Sequence, residues 1–90
     1  MKKKVKVLYR KLGRDKAWGQ AHIDCIELDP RLKGKKHLEV LNHELLHSLF
    51  PELEENEVIK KSILMTNTQW HEGYRRIDSD TSMPFQEITK

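Results

Sequence analysis

Three residues in the middle of the chain have the types and spacing to do chemistry together: His43, Glu44 and His47, in the segment His-Glu-Leu-Leu-His. Two imidazoles at i and i+4 on a helix lie about 40° apart around its axis. Both can then reach one tetrahedral metal ion. The carboxylate of Glu44 projects beside them, near enough to act on a metal-bound water without being a ligand itself. The metal lowers the pKa of that water toward neutrality, and the carboxylate takes its proton as the water attacks a carbonyl. Zinc suits such a donor set best, although nickel, cobalt or iron accept the same ligands.

A catalytic zinc takes three protein ligands and keeps one position open. No histidine follows soon after His47, so the third ligand is expected to be a carboxylate from the acidic run that comes next, or a distant residue. Glu54, Glu55 and Glu57 are the candidates. Pro51 permits a tight reversal that folds this run back over the histidines. Glu55 stands four residues before Ile59 and three before Val58, near the apolar face of its helix. Glu54 shares a face with Val58, and Glu57 lies further from the turn.

These residues need elements to hold them. The first clear helix is expected from about Lys35 to Phe50, with Leu38, Leu41, Leu45 and Leu49 as a core stripe and the two histidines on the opposite side. Val40 and Phe50 border the histidine side, so that face is partly covered, and covered polar groups need partners. Pro51 ends the helix. A second helix, opened by acidic residues that suit a helix N-terminus, carries Val58, Ile59, Ile63 and Leu64 toward Trp70. Gly73 supplies a stop. Upstream, Val5, Val7 and Tyr9 alternate with Lys4, Lys6 and Arg10, the period of a half-buried strand. The segment "AWGQAHIDCIELD" reads as one bulged strand or as a hairpin turning near His22 to Asp24. Strands that precede helices indicate an α+β fold.

Composition bounds the alternatives. Ninety residues, 37% hydrophobic and 34% charged, make one soluble domain with a modest core. Residues 1–77 are expected to form it, with 78–90 a polar, mobile tail. No apolar run approaches a transmembrane length. The basic start lacks the apolar region of a signal peptide, and the single Cys25 fits a reducing compartment, so a cytoplasmic monomer is expected. The net charge of +3 gathers at the N-terminus and around "RLKGKK". Contact with nucleic acid is a third, weaker expectation, because no aromatics interleave with the basic residues. Cys25 reads as a small core residue, Trp18 and Trp70 as core anchors, and His37 as exposed.

The stretch "IELDPRLKGKKHLEVLNHELLHSLFPELEENEV", followed by Trp70, Gly73, Tyr74 and Arg75, resembles the very small zinc metallopeptidases of bacteriophage and bacterial genomes. These are minimal gluzincins, similar in outline to the SprT-like proteins. The resemblance covers residues 5 to 77 and is most specific from Ile26 to Val58. It implies a minimal zincin-like fold: a small twisted sheet, the metal-binding helix, and a second helix bringing a glutamate to the metal. It implies that His43, His47 and Glu55 are ligands and Glu44 the general base, acting on a peptide or protein substrate. The strand–turn–strand region is shorter than is usual in that family. His71 and Tyr74 could help polarise a substrate carbonyl, and His22 could line the cleft. The rival expectation is a zinc-stabilised module that binds a protein and catalyses nothing, since so small a chain gains much from a metal.

Overall fold

The computed structural model describes residues 3–13 and 17–77. The expected tail, 78–90, lies outside the described residues. Three strands, β1 (Lys6–Tyr9), β2 (Gly19–Ala21) and β3 (Cys25–Leu28), are followed by two helices, α1 (Gly34–Leu49) and α2 (Glu55–His71). The strands form one mixed sheet in the order β1-β3-β2, with β1 parallel and β2 antiparallel to β3. The fold is thus a small α+β arrangement. The "AWGQAHIDCIELD" segment is a hairpin, closed by the His22 N–H donating to the Cys25 carbonyl at 2.8 Å. No helix is long and apolar enough to cross a membrane among the described residues.

Pairing puts Val7, Ile26 and Ala21 on one face of the sheet and Leu8, Glu27 and Gln20 on the other. Ile26 and Leu28 are fully buried and form a cluster with Leu32 and Val40, against which Val5, Val7, Ala21, Leu41 and Leu45 pack. The opposite face carries a bidentate pair, Arg10 Nε and Nη2 donating to Glu27 at 3.0 and 3.1 Å. Arg10, helped by His22, holds the Glu27 carboxyl down to about 2.

The leucine stripe is only partly the core contact. Leu41 and Leu45 pack on the cluster, but Leu49 is 56% exposed, while Val40 and Leu46 are buried. The reason is that α1 lies between two neighbours, the sheet and α2, and so buries more than one stripe. Asn42 faces α2, its Nδ2 donating to Thr66 Oγ1 at 3.0 Å and to Gln69 Oε1 at 2.6 Å. On α2 the buried residues are Val58, Ser62 and Thr66, one per turn. Two of them are small, and the helices can approach closely there. Ile59, Ile63 and Leu64, expected on the apolar face, are exposed instead. The helix ends as expected at Gly73, whose φ is 97°. Its N–H donates to the Trp70 carbonyl and the next N–H, of Tyr74, to that of Gln69, the pairing of a Schellman motif.

Other expectations change. His37 is buried, not exposed, and its Nε2 lies 2.9 Å from the Tyr9 hydroxyl. Burial, and then the charge of Arg76, push its pKa down. Trp18 is 45% exposed with the Arg31 guanidinium over its ring, and Cys25 is half-buried. Trp18 therefore anchors no core. Trp70 is half-buried and capped by Arg75, whose guanidinium carbon lies 3.5 Å from the ring centre.

A buried carboxylate ties the segment after β1 to the loop after β3. Asp29 is fully buried just after β3. Its oxygens accept from the Leu12 N–H at 3.0 Å, and from the Arg31 N–H, Nε and Nη2, each at 2.9 Å. The Arg31 side chain, then the Leu12 N–H, hold its pKa far below the usual carboxylate range. A depressed pKa stabilises the fold above the unfolded-state value of about 4 and ceases to do so as pH falls through the folded value. Asp29→Asn should lower Tm at pH 7, because the amide turns a donor toward the Leu12 N–H. Thermal melts between pH 7 and 2 should show the gap between variant and wild type narrowing below about pH 4. A gap independent of pH would show that the charge contributes nothing.

Candidate metal centre

The His43–His47 segment lies in the C-terminal half of α1, and both imidazoles emerge on one side of it, with ring centres 4.9 Å apart. The link from Phe50 to Glu54 is short. The Leu53 N–H donates to the Phe50 carbonyl, reversing the chain, and α2 starts immediately afterwards with Glu54 as its N-cap. Glu55, the first residue of α2, is thereby returned to the histidines. Its Oε1 lies 2.7 Å from His47 Nε2 and its Oε2 lies 3.2 Å from His43 Nε2. The site also joins two helix ends of useful polarity. The C-terminal end of α1 favours positive charge, and the N-terminal end of α2 favours the Glu55 carboxylate.

One donor atom from each of His43, His47 and Glu55 lies within 4.8 Å of the others. Bonds of about 2.0–2.2 Å in tetrahedral geometry place ligand atoms about 3.4 Å apart, so small rotations bring all three into range. The group could hold a metal ion. Two neutral imidazoles and one carboxylate satisfy a divalent cation and leave a fourth position free. Glu54 and Glu57 are not part of the group. His43 and His47 side chains are 22% and 28% exposed, whereas Glu55 is 62% exposed. Glu55 was expected nearer the buried face. It reaches the histidines by sitting one turn before Val58, at the edge of the helix–helix contact.

Glu44 differs from Glu55 in environment. It is buried at 9% exposure, one residue along α1 from the first imidazole, and belongs to no ligand group. Burial pushes its pKa up, while the neighbouring His43 and His47 act in the opposite sense. A carboxylate in that setting is a stronger base than an exposed one.

Glu44 lines two adjoining recesses. One, of about 470 Å³, is also bordered by His47, Ser48, Pro51 and the hairpin residues Ala21, His22 and Ile23. The other, of about 250 Å³, is bordered by His43, Lys36, Glu39 and by Trp18 and Gly19. Together they form an open trough between α1 and the edge strand β2, with Glu44 in its floor. The Ser48 hydroxyl donates to the His22 carbonyl at 3.0 Å and holds the hairpin turn against α1.

The remaining expected site residues separate. His22 borders the trough, its Nε2 3.2 Å from Glu27 Oε1. His71 ends α2, sixteen positions after Glu55, which is about 24 Å at helical rise. Tyr74 lies beyond the cap and is 68% exposed. Neither is brought to the histidines.

Two contributors were not singled out from sequence. Gly19 is one. A Cβ there would meet Glu44 Cγ at 2.8 Å and Val40 Cγ1 at 2.9 Å, so β2 approaches Glu44 as closely as it does only because residue 19 has no side chain. Asn42 is the other, since its bonds to Thr66 and Gln69 set α2, and hence Glu55, against α1. The sequence signals were a glycine inside a strand pattern and a polar residue inside an apolar helical surface. Comparison with protein-family models, with curated proteins and with solved structures finds no match in any of the three.

Proposed function

We propose that this protein is a zinc-dependent metallopeptidase of minimal gluzincin type, hydrolysing a peptide bond with an activated water. The observation that carries the proposal is the convergence of His43, His47 and Glu55 beside a buried carboxylate in the floor of an open trough. The resemblance of residues 26–58 to small phage and bacterial metallopeptidases supports the same reading.

His43 and His47, through their Nε2 atoms, and Glu55, through its carboxylate, would hold the ion. Bound zinc supplies Lewis acidity, lowering the pKa of a coordinated water and polarising a carbonyl. The chain's own residues supply the rest. The carboxylate of Glu44 accepts the proton of the attacking water and passes it to the departing amine nitrogen. Burial raises its basicity and keeps competing solvent from it. β2 and the His22–Ile23 turn form the wall against which an extended substrate lies. His22 is part of that turn, with its Nε2 donating to the Glu27 carboxylate, which fixes the ring at the edge of the recess.

The test is incubation of the zinc-loaded chain with unfolded casein in water enriched in oxygen-18. New C-termini carrying one heavy oxygen are expected by mass spectrometry, and none after treatment with chelator. Absence of new termini at any metal loading would overturn the proposal. Gly19→Ala is a finer probe. The added methyl displaces Glu44 or β2, and a misplacement near 1 Å should lower kcat by about 100-fold. Zinc content should be unchanged, because no ligand touches that methyl.

A second reading is a zinc-stapled module that binds a partner without catalysis. The small core favours it, because a metal held by α1 and α2 together would add a cross-link where few side chains are buried. In that case Glu44→Gln would alter neither fold nor partner binding.

A further inference from the structure

The trough does not end at the metal-ligand group. Beyond the bridge that the Ser48 hydroxyl makes to the hairpin turn lies a second groove of about 430 Å³, which shares Ile23 and Ser48 with the first recess and whose apolar lining is Val5, Ile23, Leu45 and Leu49. Ile23 is 92% and Leu49 56% exposed, so apolar surface faces solvent beside the reacting groups. Lys3 and Lys4, just before β1, stand at the rim with Asp24, and together with Lys6 they also line a further depression along β1. Three ammonium groups against one carboxylate make that rim net positive.

We propose that this groove sets substrate selection: it takes a large apolar side chain close to the scissile bond, and the lysine rim takes carboxylates further along the same chain. The substrate class is therefore an extended segment with a leucine- or phenylalanine-like residue followed by glutamate or aspartate. This rests on the peptidase reading above. Adjacency carries the first half, because Ile23 and Ser48 border both the recess over Glu44 and the groove, and a chain crossing the exposed Ile23 reaches from one to the other. A volume of 430 Å³ lies within the range that accepts small ligands and side chains. Charge carries the second half. Lys3 and Lys4 border the groove itself, so residues next to the apolar one in an extended segment lie beside them. Lysines at a rim add selectivity and faster encounter more than raw affinity.

Binding separates this proposal from the catalytic one. The full chain carrying Glu44→Gln, loaded with zinc, is titrated into three fluorescent decapeptides and read by anisotropy. One carries leucine followed by three glutamates, one leucine followed by three lysines, and one alanine followed by three glutamates. The leucine–glutamate peptide should bind about tenfold more tightly than either of the others, the size expected from a few exposed ion pairs or one buried side chain. Adding Lys3→Glu and Lys4→Glu should reduce the glutamate-over-lysine preference to about twofold or less, and adding Leu49→Ser should reduce the leucine-over-alanine preference. Equal affinities, no measurable binding of any peptide, or a charge preference that survives the reversal would each overturn the assignment. Hydrolysis by the wild type is followed in parallel. Preference without hydrolysis upholds the groove and removes the peptidase reading, whereas hydrolysis without preference removes the groove alone.

Discussion

Glu44→Gln should lower kcat for peptide hydrolysis by about a thousandfold, within the range that a positioned general base contributes, and leave zinc content unchanged. Glutamine matches glutamate in volume, so the contact with the strand at Gly19 survives. It cannot take up a proton. The side chain is no ligand in the group formed by His43, His47 and Glu55. Burial disfavours the charged form of Glu44, so replacing it with a neutral amide should not lower stability and can raise it slightly. Lost activity with an unchanged or higher Tm is the signature of a carboxylate held for chemistry rather than for folding. Steady-state rates, elemental analysis and a thermal melt on the same preparations check all three. Equal rates in variant and wild type would remove Glu44 from the reaction.

Removing the metal should produce the second large effect. A ligand that binds only the folded chain stabilises it by about 4 kcal/mol at a thousandfold excess over Kd. In a domain this small that is on the order of 20 °C in Tm. The site joins α1 to the first turn of α2, so the loss should be local as well as global. Amide exchange at residues 55–59 should accelerate in chelator more than exchange in β3, whose Ile26 and Leu28 are fully buried. His43→Ala and Glu55→Ala should each abolish stoichiometric zinc. Glu55→Ala should cost little folding stability without metal, because that side chain is 62% exposed. Zinc retained in Glu55→Ala would transfer the third position to another residue. A chelator-insensitive Tm, with no uptake of added zinc, would leave the histidine pair without a metal.

Much of the site was legible because its logic is local. The i, i+4 spacing of His43 and His47 places both on one helix face wherever that helix packs. Pro51 and the acidic run after it similarly announce a reversal and a helix start, and Glu55 follows from them as one of three candidates. Choosing among the three took the structure, since a helix start displaced by one residue rotates every side chain by about 100°. His37 and Leu49 failed for a related reason. Burial of a helix residue depends on how many neighbours the helix has. α1 has the sheet and α2 on different sides, so His37 is covered and Leu49 runs out past the core. Asp29 looked like part of a loop, and only the return of the chain at Leu12 makes it a buried junction.

The sequence by itself determined that His43 and His47 share one helix face, the order of strands before helices, the break at Pro51 and the stop at Gly73. These depend on side-chain type, backbone restriction and short-range periodicity, which act within a few residues. Tertiary structure alone decided that β1 pairs in parallel with β3, that α2 buries Ser62 and Thr66 rather than Ile59 and Ile63, and that Glu55 reaches the histidines while His71 does not. Those outcomes follow from contacts between segments far apart in the chain, where the packing of whole elements outweighs the preference of any single residue.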